Sequence, residues 1–232
     1  MTNTPDLSVQ LSRVRLPNPV LTASGTCGYA TELADFIDLA CLGGFITKSI
    51  TREPRAGNPP QRTCETAAGM LNSIGLANVG LDKFLSEKTL LLEQMPIPVF
   101  VNVAGKTLDE YVEVAQPISE LSCVAGLELN VSCPNVKEGG IAFGTDPASV
   151  HRLVSAVRKA CPKTLLILKL TPSVTDITLT ARAAIEAGAD VLSLVNTFTG
   201  LAIDIEHRPP RVRQTHRAAR PRRPAGPLSH PL

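Results

Sequence analysis

The sequence contains no tryptophan, and aromatic residues make up only 3% of its 232 residues. Its core must therefore be built from Ala, Val, Leu and Ile, as is typical of α/β proteins. No apolar run is long enough to span a membrane, and the N-terminus lacks a basic segment followed by an apolar one. These absences predict a cytoplasmic protein that has no membrane partner.

The six cysteines are scattered, and no two of them have a CxxC or other close metal-ligand spacing. We therefore expect reduced thiols and no metal site. Charge is also uneven, because residues 207–232 hold seven arginines and no acidic residue, whereas residues 1–206 carry more acidic than basic side chains. We interpret 1–206 as the folded domain and 207–232 as a disordered Arg/Pro-rich tail, of the kind that a reading-frame shift produces. The alternative is a nucleic-acid-binding arm, but no aromatic residue is interleaved with the arginines, so we expect no nucleic-acid partner.

Short apolar runs alternate with helical patterns along the domain. The predicted strands are 19–23, 44–49, 98–103, 126–132, 165–171 and 191–197, and most are apolar on both faces, as buried parallel strands are. Helices are predicted at 31–40, 80–95, after Thr107, after Asp146 and at 176–187, the last ending at Gly188. Residues 50–95 form a longer crossover, which we interpret as an insertion over one end of the sheet.

Strand–helix alternation predicts a parallel α/β sheet, and two architectures remain open. A doubly wound dinucleotide-binding sheet begins with a GxGxxG turn, and the sequence has none. A (β/α)₈ barrel of the TIM type is therefore favoured. Only six βα units are present where a barrel has eight, so we expect an incomplete barrel.

Polar residues recur near the carboxyl ends of the apolar strands, at the rim that carries the active site of barrel enzymes. A buried Lys or Asn without a partner is costly, so a shared polar ligand is the simplest explanation. The two lysines indicate an anionic or electron-rich ligand, and the asparagines indicate a flat one with donors and acceptors. The residues are Ser24, Lys48, Ser49, Asn102, Asn130, Lys169 and Asn196.

No His or carboxylate is predicted at this rim, so Cys133 is the candidate general base. Pro134 ends the strand and would present Cys133 at a turn, although an inert small hydrophobic residue is the alternative. Gly139, Gly140 and Gly144 follow, and they predict a flexible segment that closes over the site, or else an ordinary surface loop.

The run LNVSCPN at 129–135 resembles the active-site segment of class 1 dihydroorotate dehydrogenases. The remaining motifs follow in that family's order, and the resemblance covers about residues 8–206. Cys133 indicates class 1, and VKEGGIAFGTDP at 136–147 is similar to the 1B branch. The other motifs are TKS at 47–49, NSIGL at 72–76, VN at 101–102, Lys169, VNT at 195–197 and GLAID at 200–204.

The resemblance implies an oxidoreductase of pyrimidine (UMP) biosynthesis that oxidises (S)-dihydroorotate to orotate. Cys133 would remove a proton from C5 while a hydride leaves C6 for flavin N5. It implies FMN contacts from Ser24, Lys48, Ser49, Asn102, Asn130, Lys169 and Val195. It implies substrate contacts from Lys48, Asn72, Ser73, Ile74, Gly75, Leu76, Asn130, Asn196 and Thr197.

The 1B resemblance also implies a partner subunit that carries FAD and a [2Fe–2S] cluster and passes electrons to NAD, in a heterotetramer built on a homodimer of the catalytic chain. In the family, two further βα units supply glycine-rich turns for the FMN phosphate. The residues after 206 do not resemble them, so we expect the chain to hold FMN weakly. Two alternatives stay open: an inactive fragment of such an enzyme, and a related FMN barrel that acts on another dihydropyrimidine.

Overall fold

The computed structural model describes residues 5–132 and 143–212, which form two compact units. The first unit holds residues 5–55 and 76–199, apart from the gap at 133–142, and the second holds 56–75 and 200–212. Cys133, most of the predicted flexible segment and the tail from residue 213 onward lie outside the described residues. Within the described parts, no helix is both long and apolar enough to cross a membrane.

The secondary structure follows the alternation expected from the sequence. The strands are β1 Val9–Leu11, β2 Val14–Leu16, β3 Phe45–Ile46, β4 Thr63–Thr66, β5 Gly69–Asn72, β6 Val99–Val103, β7 Gly126–Asn130, β8 Leu165–Lys169 and β9 Val191–Ser193. The α-helices are α1 Thr31–Ala34, α2 Leu81–Lys83, α3 Thr89–Leu92, α4 Leu108–Ser119, α5 Pro147–Ala160 and α6 Ile177–Glu186. A π-helical turn at Phe84–Lys88 joins α2 to α3, and 3₁₀ turns lie at Leu39–Cys41 and Phe143–Thr145.

The main sheet is parallel and has the order β3-β6-β7-β8-β9, which is also the order along the chain. A doubly wound sheet reverses its strand order at a switch point, whereas each βα unit here adds its strand on the same side. Strands β6, β7 and β8 are buried at every position, as the continuous apolar runs predicted. This topology is that of a barrel wall and excludes the doubly wound alternative.

The sheet is strongly curled. Leu21 bridges to Gly44 in parallel beside β3, and Ser24 follows that segment at one side of the sheet. Lys169 lies in β8, four strand spacings away, which is about 19 Å along a flat sheet. The Lys169 ammonium nevertheless donates a hydrogen bond to the Ser24 hydroxyl at 3.0 Å. The strands must therefore curve around a common interior, as the walls of a β/α barrel do.

The predicted strand at 19–23 is reduced to that single bridge. The Thr22 hydroxyl takes the place of the backbone ladder: it accepts from the Ile46 N–H at 2.8 Å and donates to the Ile46 carbonyl at 3.2 Å. The antiparallel hairpin of β1 and β2 was not predicted. Its Leu16 packs with Phe100 and Leu165 in an apolar cluster inside the sheet, so the hairpin closes the amino-terminal end of the interior.

The predicted helix at 31–40 is wrong beyond its first turn. The helix ends after Ala34, and the Asp38 side chain accepts from the Ala40 N–H to begin a separate 3₁₀ turn. Phe36, which follows the helix, is 81% exposed. A short polar side chain that bonds the backbone locally competes with helix formation, and Asp38 does so here.

The longer helices agree with the sequence. Thr107 caps α4 by accepting from the Glu110 N–H at 3.2 Å, and Asp146 caps α5 ahead of Pro147. The apolar face predicted for α5 is fully buried against the sheet. Gly188 follows α6 with φ +102°, and the bonds Gly188 N–H to Ile185 and Ala189 N–H to Ala184 form a Schellman motif.

The second unit contains the antiparallel hairpin of β4 and β5, within the predicted insertion. Gly75 lies beside it with φ +76°, and a Cβ there would sit 2.7 Å from the Asn58 backbone nitrogen. Asn58 also donates from its side chain to the Ser73 carbonyl at 2.8 Å, and its N–H bonds the Ile74 carbonyl at 3.0 Å. Residues 73–75 are therefore fixed to Asn58.

Candidate active site

In the strands of the first unit, every second side chain faces the interior of the curled sheet. These inward-facing side chains are arranged in layers. Val99, Val101 and Val103 of β6 point outward and pack in the core shared with the helices. Phe100 and Asn102 therefore point inward, because successive residues of a strand face opposite sides. Phe100 belongs to the apolar layer at the closed end, and Asn102 lies one layer nearer the carboxyl ends of the strands. The interior thus changes from apolar to polar toward the predicted rim.

The polar layer is a set of three residues from adjacent strands. Asn102 is 0% exposed, and its amide nitrogen donates to the Glu128 carboxylate at 2.6 Å. Lys169 lies with its ammonium 4.0 Å from that carboxylate and donates to the Ser24 hydroxyl at 3.0 Å. Each of these three buried side chains therefore has a partner, and the charges of Lys169 and Glu128 offset each other inside the barrel wall.

A second chain of hydrogen bonds runs along the rim. The Ser49 hydroxyl donates to the Asn102 carboxamide oxygen at 2.5 Å and accepts from the Asn130 amide at 3.4 Å. The Asn130 oxygen in turn accepts from the Asn196 amide at 2.9 Å. The predicted site residues Ser24, Ser49, Asn102, Asn130, Lys169 and Asn196 are therefore one connected network.

Two further hydrogen bonds fix the position of Asn130. The Tyr111 hydroxyl of α4 donates to the Asn130 backbone carbonyl at 2.5 Å, and the Ser132 N–H bonds its side-chain oxygen at 3.2 Å. Tyr111 is fully buried and was not predicted to support the site. Its pattern in the sequence, an aromatic residue on the inward face of α4, indicated only packing.

Lys48 differs from Lys169. Its N–H bonds the Gly28 carbonyl at 2.9 Å, but its ammonium has no hydrogen-bond or ion-pair partner among the described residues. The residue is half-buried, so this charge is only partly solvated. A bound anion would compensate this charge.

The edge of the site next to Cys133 includes one unsatisfied group. The Ser132 hydroxyl is buried and has no hydrogen-bond partner within residues 5–132 and 143–212. Gly144 is buried next to the end of β7, where its N–H donates to the Val131 carbonyl at 3.1 Å. Gly144, expected to be part of a flexible segment, is instead packed, because a Cβ there would lie 2.8 Å from that carbonyl.

The remaining predicted site residues are divided between the two units. Val195 packs against the main core, and the Thr197 N–H bonds the Asn196 side-chain oxygen at 2.8 Å on the exposed side. Leu76 also packs against the main core of the first unit. Asn72, Ser73, Ile74 and Gly75 belong to the second unit, in the segment tied to Asn58.

A carboxylate that was not predicted lies among the polar groups of the site, one layer below the rim. Glu128 is 1% exposed and contacts both Asn102 and Lys169. The sequence does contain the signal, because Glu128 precedes Asn130 by two residues and must share its face of the strand.

Chemically, the network offers amide donors and acceptors, two serine hydroxyls and the Lys169 ammonium, and Lys48 adds a second ammonium. Such a set suits a flat heteroaromatic ring edged with carbonyl and N–H groups, and the second ammonium suits a carboxylate. The buried Ser132 hydroxyl, without a partner among the described residues, also indicates a polar ligand.

A sequence model described as dihydroorotate dehydrogenase matches residues 6–217, nearly the whole chain. The chain belongs to the dihydroorotate dehydrogenase family. A relative from Citrifermentans bemidjiense, named dihydroorotate dehydrogenase B (NAD(+)), catalytic subunit, is 52% identical over 206 residues. One from Geotalea uraniireducens, with the same name, is 53% identical over 206 residues. Each alignment covers 89% of this chain and 67% of the relative, so the chain spans about two thirds of their length.

The fold agrees with this family. The solved structure of DHODH from Eimeria tenella in complex with ferulenol superposes with a TM-score of 0.69 at 22% identity. The superposition covers 85% of this chain and 61% of that one. The resemblance inferred from the motifs and the barrel class are both confirmed.

Proposed function

We propose that this chain forms the FMN-binding and substrate-binding part of a dihydroorotate dehydrogenase, which oxidises (S)-dihydroorotate to orotate in pyrimidine biosynthesis. The observation that supports this most directly is the connected network from Ser24 through Lys169, Glu128, Asn102, Ser49 and Asn130 to Asn196. Buried polar networks of this extent are costly unless satisfied, and this one faces the interior at the end where barrel enzymes bind their ligands.

The groups on this face fit the ring system of FMN. Asn102, Asn130 and Ser49 offer neutral donors and acceptors, and Lys169 offers a positive charge that favours an electron-rich ring. The residues that would hold the cofactor are Ser24, Lys48, Ser49, Asn102, Asn130, Lys169 and Val195. When bound, FMN supplies the acceptor for the hydride.

The substrate would lie over the same face toward the rim. Dihydroorotate carries a carboxylate and two amide-like edges. Lys48 would bind the carboxylate with its ammonium, which has no partner among the described residues. Asn130 and Asn196 would orient the ring by accepting from and donating to its edges. The resemblance also assigns substrate contacts to Thr197 and to the segment from Asn72 to Leu76.

Cys133 would act as the general base. As a thiolate it would take the proton from C5 of the substrate, while the hydride departs from C6. The residue follows directly after Ser132, at the end of the strand that carries Asn130.

The electrons would leave through a second subunit. The relatives are named catalytic subunits of dihydroorotate dehydrogenase B (NAD(+)), which supports a further subunit and NAD as final acceptor. The resemblance to the 1B branch implies that this subunit carries FAD and a [2Fe–2S] cluster. We propose a homodimer of the catalytic chain within that heterotetramer, working in the cytoplasm.

The test is anaerobic reduction of bound flavin. The purified chain is titrated with FMN, then mixed with dihydroorotate, dihydrouracil or dihydrothymine while flavin absorbance is recorded. Bleaching by dihydroorotate and not by the two uncharged dihydropyrimidines supports the proposal. Bleaching by the uncharged compounds instead favours the related barrel with another substrate, and absence of flavin binding contradicts the proposal.

A further inference from the structure

Glu128 is the one carboxylate among the buried polar residues of the described chain. It lies in the middle of β7, one layer below the rim, and no ligand contact is assigned to it by the proposed function. A glutamate in this position is costly to bury unless it is paired, so its presence needs a reason beyond packing.

Its two contacts are both to proposed flavin ligands. The carboxylate accepts from the Asn102 amide at 2.6 Å, which fixes the direction in which the Asn102 oxygen points. It also lies 4.0 Å from the Lys169 ammonium, whose side chain is 10% exposed. Glu128 thus contacts two of the residues that are proposed to hold the flavin.

We propose that Glu128 is a positioning residue that sets the charge next to the flavin ring by offsetting Lys169. This inference rests on the proposed function. With Glu128 ionised, the buried pair is neutral overall and adds little positive charge beside the ring. Without that charge, the Lys169 ammonium stands alone and favours the electron-rich reduced flavin. Glu128 therefore weakens the preference for reduced flavin and eases the onward transfer of electrons.

The two contacts predict opposite effects for two conservative variants. Glu128→Gln keeps the length of the side chain and an acceptor for Asn102 but removes the charge. Glu128→Asp keeps the charge but shortens the side chain by one methylene. If Glu128 acts through its charge, Glu128→Gln changes the preference for reduced FMN and Glu128→Asp does not. If Glu128 acts only through its geometry, Glu128→Asp has the larger effect.

The measurement is the ratio of dissociation constants for oxidised and reduced FMN. Oxidised FMN is titrated by fluorescence quenching, and dithionite-reduced FMN by anaerobic equilibrium dialysis, against the 232-residue chain. We expect Glu128→Gln to increase the preference for reduced FMN at least tenfold, which is about 30 mV for a two-electron couple. Glu128→Asp should stay within about threefold of the unsubstituted chain, since charge is retained at nearly the same distance.

Glu113→Gln is the matched control. Glu113 loses the same charge, but its side chain is 53% exposed and pairs with Arg52 on the surface. Lys169→Met is a second probe with the opposite sign, because it leaves Glu128 as the only charge of the pair and should shift the preference toward oxidised FMN. It also keeps the inference testable if Glu128→Gln does not fold.

The outcomes distinguish failure of the inference about Glu128 from failure of the proposed function. An unchanged ratio in Glu128→Gln, an equal change in Glu113→Gln, or a larger change in Glu128→Asp than in Glu128→Gln overturns this inference alone. If Glu128→Gln does not fold, an unchanged ratio in Lys169→Met does the same. If the unsubstituted chain binds neither form of FMN, the proposed function fails and this inference fails with it.

Discussion

Arg158 on α5 donates two hydrogen bonds to the carbonyl oxygen of Gly188, from Nε at 3.0 Å and Nη2 at 2.9 Å. Its Nη1 reaches the carbonyls of Cys161, Pro162 and Thr164, and Nη2 also bonds the Asp190 carboxylate. One guanidinium thus joins the end of α5, the loop into β8 and the turn after α6. It lies at the amino-terminal ends of the strands, away from the polar network.

We predict that Arg158→Met destabilises the fold without altering the site. The substitution leaves several partly buried carbonyls and Asp190 without their charged donor, which costs about 2–4 kcal/mol. The midpoint of thermal unfolding should fall by about 4–16 °C for a chain of this size. Calorimetry measures the shift.

Arg13→Met is the control for this prediction. Arg13 pairs with the same Asp190, but at 3.6 Å and with 47% of its side chain exposed, so the pair contributes less than about 1 kcal/mol. Equal losses in the two variants would contradict the assignment of stability to the buried contacts of Arg158.

A pH-dependent contribution is expected from Asp146, the N-cap of α5. Hydrogen bonds from the Ser149 hydroxyl and N–H lower the pKa of Asp146 below its ordinary value of 3.8. Because the folded pKa is the lower one, the stabilisation is present above that ordinary value and is lost as the pH falls through the folded pKa. Asp146→Ala should therefore cost about 1 kcal/mol at neutral pH and progressively less in acid.

Urea unfolding of both proteins from pH 7 to pH 3 measures this difference. Asp146→Asn retains a neutral cap, so its stability should depend less on pH across the same range than that of the unsubstituted chain. A cost for Asp146→Ala that is constant with pH would show that the carboxylate charge is not involved.

Gly144→Ala should also destabilise the chain. A Cβ at this position would meet the Val131 carbonyl oxygen and Cγ2, both at 2.8 Å. Val131 follows Asn130, so the strand that carries the site must shift, at about 1–3 kcal/mol. Gly69→Ala is the control, since its nearest neighbour would be the Thr66 hydroxyl at 4.0 Å. Thermal unfolding compares the two, and an equal effect would refute the close approach.

The sequence predicted the barrel wall and most of its polar network because both follow from short-range patterns. Lys169 and Asn102 are polar residues in otherwise apolar strands, and the alternation of side chains places both on the interior face of the sheet. The prediction failed where pairing depends on distant residues. Thr22 replaces its strand ladder with a hydroxyl that bonds Ile46, and the exposed hairpin of β4 and β5 has no apolar alternation to reveal it. Glu128 was visible in the pattern, but its partners Asn102 and Lys169 come together only in the folded sheet.

Lys48 should bind the substrate carboxylate. Lys48→Ala removes a charge-assisted hydrogen bond, whose loss corresponds to about a tenfold to hundredfold weaker interaction. We expect the KM for dihydroorotate to rise by about that factor, with kcat reduced as well. Lys163→Ala, at the opposite end of β8 and exposed, should leave both constants unchanged. An unaltered KM in Lys48→Ala would exclude the substrate contact.

Cys133 should be required for chemistry and dispensable for the cofactor. It lies outside the described residues, but it directly follows Ser132, whose N–H is bonded to Asn130. Loss of a general base lowers turnover by about 10²–10⁴-fold, so Cys133→Ala should bind FMN normally while dihydroorotate bleaches the flavin that much more slowly. Cys41→Ala removes an exposed thiol and should bleach at the unsubstituted rate. Stopped-flow absorbance separates binding from reduction, and near-normal bleaching in Cys133→Ala would assign the base to another residue.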